Sequence, residues 1–280
     1  MFFEIVKFLL YAGLIVLIAK YILVATLRKL AENLNLKPKT VGDIAGYATS
    51  IPELLTISIS SINGLMSTSI FNIVSSNVIN FIQYIASIVI HKNRKAFQNQ
   101  AIRVNIVLVL ITIAIPIFFI QKGIEMNLII VPAFFILYAL FQFINHNVHK
   151  VYLEKEDKAL ENQIREEQKK ERGNTKKTLL YSLILVGTGI LLYVIGELLG
   201  DTLNHLCYQF HISQTIIGIL LGFITSIPEL ITFFESQKHY KKQKQNDLLG
   251  VVEATNNLLT SNVLNLFVIQ SLGIIMYSII

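Results

Sequence analysis

Eight stretches of the chain, at about 5–27, 40–63, 68–90, 103–121, 127–147, 178–200, 212–234 and 248–279, are dominated by Phe, Ile, Leu, Val and Ala. A bilayer core about 30 Å thick is crossed by roughly 20 mostly apolar helical residues. Each stretch therefore predicts a span, and together they predict an all-α, polytopic membrane protein of about eight transmembrane helices. Core helices of a large soluble domain can be equally apolar, but they need amphipathic partners to cover them, and no such partners remain. The one long polar stretch, from His149 to Lys177, is dense in Glu, Lys, Arg and Gln, with pairs such as Glu154 and Lys158 four residues apart. It lacks an apolar stripe and predicts a solvated linker over 148–177, between a first transmembrane half (1–147) and a second (178–280).

Composition agrees with the pattern: 53% of the 280 residues are hydrophobic and 15% charged, and the mean hydropathy is +0.58, too apolar for an ordinary soluble domain. The net charge of +6 would suggest nucleic acid or an acidic partner in a soluble protein, yet its placement gives a different reason. With the N-terminus outside, 21 of the 24 basic residues fall in inside segments: near Arg28 to Lys39, near Lys92 to Arg103, in the linker, and from Lys238 to Lys244. Lys122 alone lies in an outside loop. By the positive-inside rule the linker is cytoplasmic, in the cell membrane, and no nucleic-acid partner is implied. Cys207 is the only cysteine, which excludes an internal disulfide and a multi-cysteine metal site. The N-terminal apolar stretch runs on to Arg28 and Lys29 with no small-residue cleavage site, and reads as a retained first helix.

The two halves repeat each other. Residues 46–56 read GYATSIPELLT and residues 222–232 read GFITSIPELIT, identical at eight of eleven positions; residues 72–80 read NIVSSNVIN and 257–265 read NLLTSNVLN, identical at five of nine. Charge placement runs the helix of Glu53 inside to outside and that of Glu229 the opposite way. Inverted repeats with polar, helix-breaking motifs at matching positions are the pattern of secondary transporters, whose sites form near the midplane between the halves.

Glu53 lies 13 residues after Thr40, and Glu229 lies 16 after Ser213, so at about 1.5 Å per residue both approach the middle of the bilayer. A charge there costs at least ~2.5–3.5 kcal/mol and must face a cavity, a partner or a cation. Pro52 and Pro228 remove a backbone N–H and crowd the carbonyls of Ala48 and Ile224, which predicts a kink or break just before each Glu. Thr49, Ser50, Thr225 and Ser226 place hydroxyls in the same turns; proline kinking with Ser/Thr bonded back to the helix would also account for either copy alone. Ser76, Asn77 and Asn80 share one helix face, repeated by Ser261, Asn262 and Asn265. For Asn72, Asn77, Asn257 and Asn262, gluing of helices is at least as good a reading as ion contact, while Asn80 and Asn265 suit ligation. Six to eight oxygens suit Ca²⁺, and two Glu match one Ca²⁺ or two monovalent ions.

These paired motifs resemble the alpha repeats of the cation/calcium exchanger superfamily, which carry a G-T-S-x-P-E signature followed by G-S-N-x-x-N. The resemblance covers most of the chain apart from the linker. It implies an ion-driven antiporter, with no resident cofactor, that moves Ca²⁺ against Na⁺ or H⁺ at adjoining sites as its first and sixth helices move against the core. Carried over by position, it makes Glu53 and Glu229 central ligands and Asn80 and Asn265 flanking ones. Thr49, Ser50, Ser76, Thr225, Ser226 and Ser261 become sodium-site oxygens, and Gly46 and Gly222 donors of backbone carbonyls. The chain differs from the family at Tyr47-Ala48 and Phe223-Ile224, where small residues are usual, and in a longer second repeat, with 28 positions from Glu229 to Asn257 against 19 from Glu53 to Asn72. The family usually has ten helices, so the resemblance implies an exchanger-like fold lacking the last two. Such a core would work alone or as a homo-oligomer, or persist as a non-transporting scaffold or partner subunit. A membrane-embedded hydrolase is the poorer alternative, because no His or nucleophile matches the depth of the two Glu.

Overall fold

The computed structural model of the chain describes residues 2–34, 36, 38–152, 175–242 and 247–280; most of the expected linker, residues 153–174, lies outside them. Among the described residues the structure is helical, with no strand. Its α-helices are α1 (Phe2–Ile18), α2 (Ala25–Asn33), α3 (Pro38–Thr49), α4 (Ile51–Ile62), α5 (Met66–Ile90), α6 (Gln100–Lys122), α7 (Val131–Tyr152), α8 (Thr175–Asn204), α9 (Gln214–Thr225), α10 (Ile227–Lys242), α11 (Asp247–Leu264) and α12 (Gln270–Ile279). Three π-helical turns, Ala19–Val24, His205–Gln209 and Asn265–Ile269, join α1 to α2, extend α8 and join α11 to α12.

Among the described residues, seven continuous helical rods are long and apolar enough to cross a membrane. The expected span at 40–63 is also present, as α3 and α4, but it falls short of that apolarity because Asp43, Thr49, Ser50, Glu53, Thr56, Ser60 and Ser61 punctuate it. Most of them are turned inward: Thr49, Ser50, Glu53, Thr56, Ser60 and Ser61 are all buried. Conversely, α8 faces outward with Leu179, Leu183, Val186 and Ile190 more than half exposed, the surface expected to meet lipid.

Both predicted breaks occur. The helix stops at Ser50 before Ile51-Pro52-Glu53 and at Ser226 before Ile227-Pro228-Glu229, so each proline stands in the first turn of a new helix, where its missing N–H costs nothing. The breaks are not severed, since Ser50 N donates to Gly46 O at 3.2 Å and Ser226 N to Gly222 O at 3.2 Å. Glu53 and Glu229 then occupy the first turns of α4 and α10, at the positive end of the helix dipole, which favours a carboxylate.

Packing exchanges the halves. The broken helix of the first repeat lays α3 along α11, and that of the second lays α9 along α5. Gly42 and Gly46 on α3, and Gly218 and Gly222 on α9, stand four residues apart on the contacting faces. A Cβ on Gly46 would come within 2.8 Å of Asn257 O, and one on Gly222 within 2.5 Å of Asn72 O. Small residues at this spacing let membrane helices approach backbone to backbone. Tyr47 and Phe223, where the family prefers small residues, are 43% and 58% exposed, so their bulk points away from the contact; the Tyr47 and Tyr138 hydroxyls are 2.9 Å apart.

Remaining elements wrap this core. α1 packs on α8 through Phe8, Ala12, Ile15, Leu192 and Leu199, while α6 and α7 cover α11 and the turn after it, with Phe134 and Phe141 against Phe267. The shorter spacing of the first repeat is met by a tight turn between α4 and α5, where Gly64 takes a left-handed φ of 73°; the second repeat instead extends α10 to Lys242.

A methyl group at Gly222 strikes backbone atoms that no rotamer change can clear, so Gly222→Ala is expected to cost about 1–3 kcal/mol. Gly187→Ala, which meets nothing within 4 Å, should be neutral or slightly stabilising in mid-helix. Thermal unfolding of the detergent-solubilised protein, followed by the loss of its monodisperse peak, distinguishes the two.

Candidate cation site

The two breaks and the inner faces of α5 and α11 bring the motif residues into one buried cluster. Thr49, Ser50, Glu53, Ser76, Asn80, Thr225, Ser226, Glu229, Ser261 and Asn265 are each no more than 1% exposed. Glu53 and Glu229 lie within electrostatic reach of each other. Each carboxylate faces the opposite repeat's threonine: Thr225 lies beside Glu53 without closing a hydrogen bond of normal geometry, and Thr49 lies beside Glu229.

A chain of hydroxyls crosses between the repeats. Ser261 Oγ donates to Glu229 Oε1 at 3.0 Å and lies 3.0 Å from Ser50 Oγ. Thr49 Oγ1 donates to Asn257 Oδ1 at 3.4 Å, and Ser226 Oγ approaches Ser76 O at 3.4 Å. The asparagines form a reciprocal knot: Asn77 Nδ2 donates to Asn262 O at 3.3 Å and Asn262 Nδ2 to Asn77 O at 3.1 Å, while Asn80 Nδ2 donates to Asn262 Oδ1 at 3.3 Å and Asn265 Nδ2 to Asn77 Oδ1 at 3.4 Å. Asn77 and Asn262 thus join the two repeats, and the amide nitrogens of Asn80 and Asn265 each donate to that junction.

What the network leaves over is oxygen. Both oxygens of Glu53, Oε2 of Glu229, Oδ1 of Asn80, Oδ1 of Asn265 and Oγ1 of Thr225 are buried without a hydrogen-bond partner. Buried polar groups are ordinarily paired, and unpaired ones call for an explanation. Among the described residues no three His, Cys, Asp or Glu side chains converge, so the surplus donors are hard: two carboxylates, amide oxygens and a hydroxyl. Such a set suits an alkali or alkaline-earth cation rather than a soft metal.

The carbonyls of Gly46 and Gly222 are already engaged. Gly46 O accepts Ser50 Oγ at 2.9 Å, and Gly222 O accepts Ser226 Oγ at 2.7 Å, so these serines bond back to the helix as well as facing the cluster. Two residues not singled out from sequence brace the carboxylates from behind. Thr56 Oγ1 donates to Glu53 O at 3.2 Å and Pro52 O at 3.0 Å and accepts Asn72 Nδ2 at 2.7 Å; Thr232 Oγ1 donates to Glu229 O at 2.9 Å and accepts Asn257 Nδ2. The signal was available, since each repeat carries a threonine three residues after its glutamate.

Comparison with known proteins comes to one family. The profile described as sodium/calcium exchanger protein matches residues 5–146 and 180–280. Structures of the sodium-calcium exchanger NCX_Mj share the fold: one soaked with 10 mM Na⁺ and zero Ca²⁺ superposes with a TM-score of 0.55 at 20% identity, covering 99% of this chain and 84% of that one. Another, soaked with 100 mM Na⁺ and 10 mM Sr²⁺, gives 0.55 at 20% identity over 99% and 83%, and one with zero Na⁺ and Ca²⁺ gives 0.50 at 19% over 99% and 83%. A search among curated proteins finds no match.

Removing the Asn262 side chain strips the acceptor from Asn80 and the donor from Asn77 O, both fully buried. Asn262→Ala is therefore expected to destabilise by about 1–3 kcal/mol for each group left unpaired, read as a lowered midpoint of thermal unfolding in detergent, with Asn77→Ala showing the mirrored loss.

Proposed function

The chain belongs to the sodium/calcium exchanger protein family, and from that premise we propose that it is a secondary antiporter moving Ca²⁺ in exchange for Na⁺ or H⁺ through the site between Glu53 and Glu229. One observation carries this reading: six buried oxygens of the repeat motifs, from Glu53, Glu229, Asn80, Asn265 and Thr225, have no hydrogen-bond partner. Ca²⁺ takes six to eight oxygens at about 2.3–2.6 Å. Sodium takes the same kind of donor, and two carboxylates balance one divalent or two monovalent cations. Occupancy by one kind excludes the other, so the two cations compete for the site.

In this reading Glu53 and Glu229 are the central ligands, and Asn80 and Asn265 flank them through Oδ1. Thr49, Ser50, Ser76, Thr225, Ser226 and Ser261 supply the hydroxyl oxygens that serve sodium. Gly46 and Gly222 contribute backbone carbonyls, each of which accepts a serine hydroxyl, from Ser50 and Ser226, and keeps a second lone pair. The linker side is cytoplasmic, following the distribution of Lys and Arg.

Replacing either glutamate by glutamine keeps its shape and removes one of the two charges. Loss of one carboxylate from a desolvated divalent site exceeds about 2.7 kcal/mol, or 100-fold in affinity. Vesicles containing Glu53→Gln or Glu229→Gln are expected to show no ⁴⁵Ca²⁺ uptake under an outward Na⁺ or an imposed pH gradient, while the parent responds to one of them. Full uptake by both variants, or none by the parent under any gradient, would overturn the assignment.

A further inference from the structure

Glu253 belongs to neither repeat motif, yet it is 2% exposed on α11, four residues before Asn257. Ser236 Oγ and Tyr240 Oη donate to its carboxylate at 2.7 and 3.0 Å, and Arg28 Nη2 approaches at 3.4 Å. Arg28 is also 3.8 Å from the more exposed Glu235. These contacts cross a boundary within the fold. Arg28 stands on α2, the continuation of α1 beyond the π turn Ala19–Val24, whereas Glu253, Ser236 and Tyr240 stand on α10 and α11, which carry Glu229, Ser261 and Asn262.

Beside this ion pair is a cavity lined by Val24, Arg28, Ala45, Thr232 and Glu253 among others. Thr232 is the residue bonded to Glu229 O and to Asn257, so the cavity extends from the Arg28–Glu253 pair to the brace behind one of the two carboxylates. Alongside it, Ala19, Leu23 and Val24 pack on Ala48, directly before the break at Ser50.

The internal repeat shows that the fold itself does not require this charge. Aligned through Asn72 and Asn257, the first repeat has Thr68 where the second has Glu253; aligned through the glutamates, it has Ser60 where the second has Ser236. At that corresponding place the contact between the α8 end and the core is neutral: Asn204 Nδ2 donates to Asn63 Oδ1 at 2.7 Å and Tyr208 Oη to Asn63 O at 3.1 Å. Among the described residues, the pairing of a carboxylate with a guanidinium occurs at the Arg28 place and not at the corresponding Asn204.

We propose that Arg28 and Glu253 form a charged latch that closes the linker-side route to the site, and that a divalent cation on that route opens it by displacing Arg28 from Glu253. The proposal rests on the exchange reading above for the identity of the cation. The pair is held at low exposure, where breaking it leaves an uncompensated buried carboxylate, so closure persists until another positive charge takes the place of Arg28. A hydrated Ca²⁺ has twice the charge and accepts carboxylate oxygen.

The test reads access to the cavity without reading transport. In a Cys207→Ser background, Ala45→Cys is labelled by a membrane-impermeant maleimide from the linker side of vesicles. Arg28→Gln is expected to raise the labelling rate about ten-fold, the equivalent of ~1.4 kcal/mol, and millimolar Ca²⁺ to raise it in the parent but not in Arg28→Gln. The swap Arg28→Glu with Glu253→Arg is expected to restore the slow rate. Rates within two-fold of the parent for both Arg28→Gln and Glu253→Gln would overturn the latch. Should the swap fold poorly, bridging Arg28→Cys and Glu253→Cys with a reducible bifunctional thiol reagent long enough to span the ion pair is expected to abolish exchange until a reductant is added, and undiminished exchange by the crosslinked protein is likewise fatal to it. Latch-dependent labelling in a protein that moves no Ca²⁺ under any gradient would instead reject the exchange reading alone.

Discussion

Two carboxylates buried together, with too few donors to satisfy them, set the terms for everything else in this protein. In hydrocarbon an ionised group survives only if a counter-charge or a fixed dipole compensates it. The chain provides part of the compensation by breaking its own helices. Each break ends at a proline and starts a new helix with the glutamate in its first turn, so a half-helix dipole points at each carboxyl group. What remains uncompensated is a set of buried oxygens without donors, from Glu53, Glu229, Asn80, Asn265 and Thr225, the kind of donor set that a hard cation takes.

The surroundings keep those oxygens unsatisfied. Asn77 and Asn262 bind each other's backbone across the two repeats, and they take up the amide nitrogens of Asn80 and Asn265. Donors that could have met the acceptors are thereby directed into structure, while Oδ1 of Asn80 and Asn265 stay without a hydrogen-bond partner. Thr56 and Thr232 hold the backbone behind each glutamate, fixing where the carboxylates stand. A wholly apolar lining would have been less costly to fold, and a fully hydrogen-bonded one would have no use for an ion.

Much of this is legible in the order of residues. The proline before each glutamate marks the break at Ser50 and Ser226, because a missing N–H and a displaced carbonyl have only local consequences. The twofold appearance of the motif marks the cluster, since polar residues repeat inside apolar helices only where they share a task. Less visible were features that depend on which helix meets which. The span at 40–63 reads as apolar by eye but carries its polar side chains on one inward face, which only packing reveals. The close approach of Gly46 and Gly222 to another backbone, and the serine hydroxyls that their carbonyls accept, are likewise visible only in the packed structure. Glu253 belongs to neither motif and carries no signal of its own in the sequence; only folding places Ser236, Tyr240 and Arg28 around it.

The exchanged packing of the repeats bears on how the protein is made. α3 finds its backbone partner in α11 and α9 finds its partner in α5, so the glycine face of α3 stays bare until α11 is made, and the face of α5 until α9 is made. During that interval Glu53, Asn77 and Asn80 reside in the bilayer, or in the insertion machinery, without their partners. The first half must therefore wait as a loosely associated set of helices, dependent on lipid, protons or chaperones for its polar groups, and a chain interrupted before α11 would present quality control with an unshielded acid in the membrane.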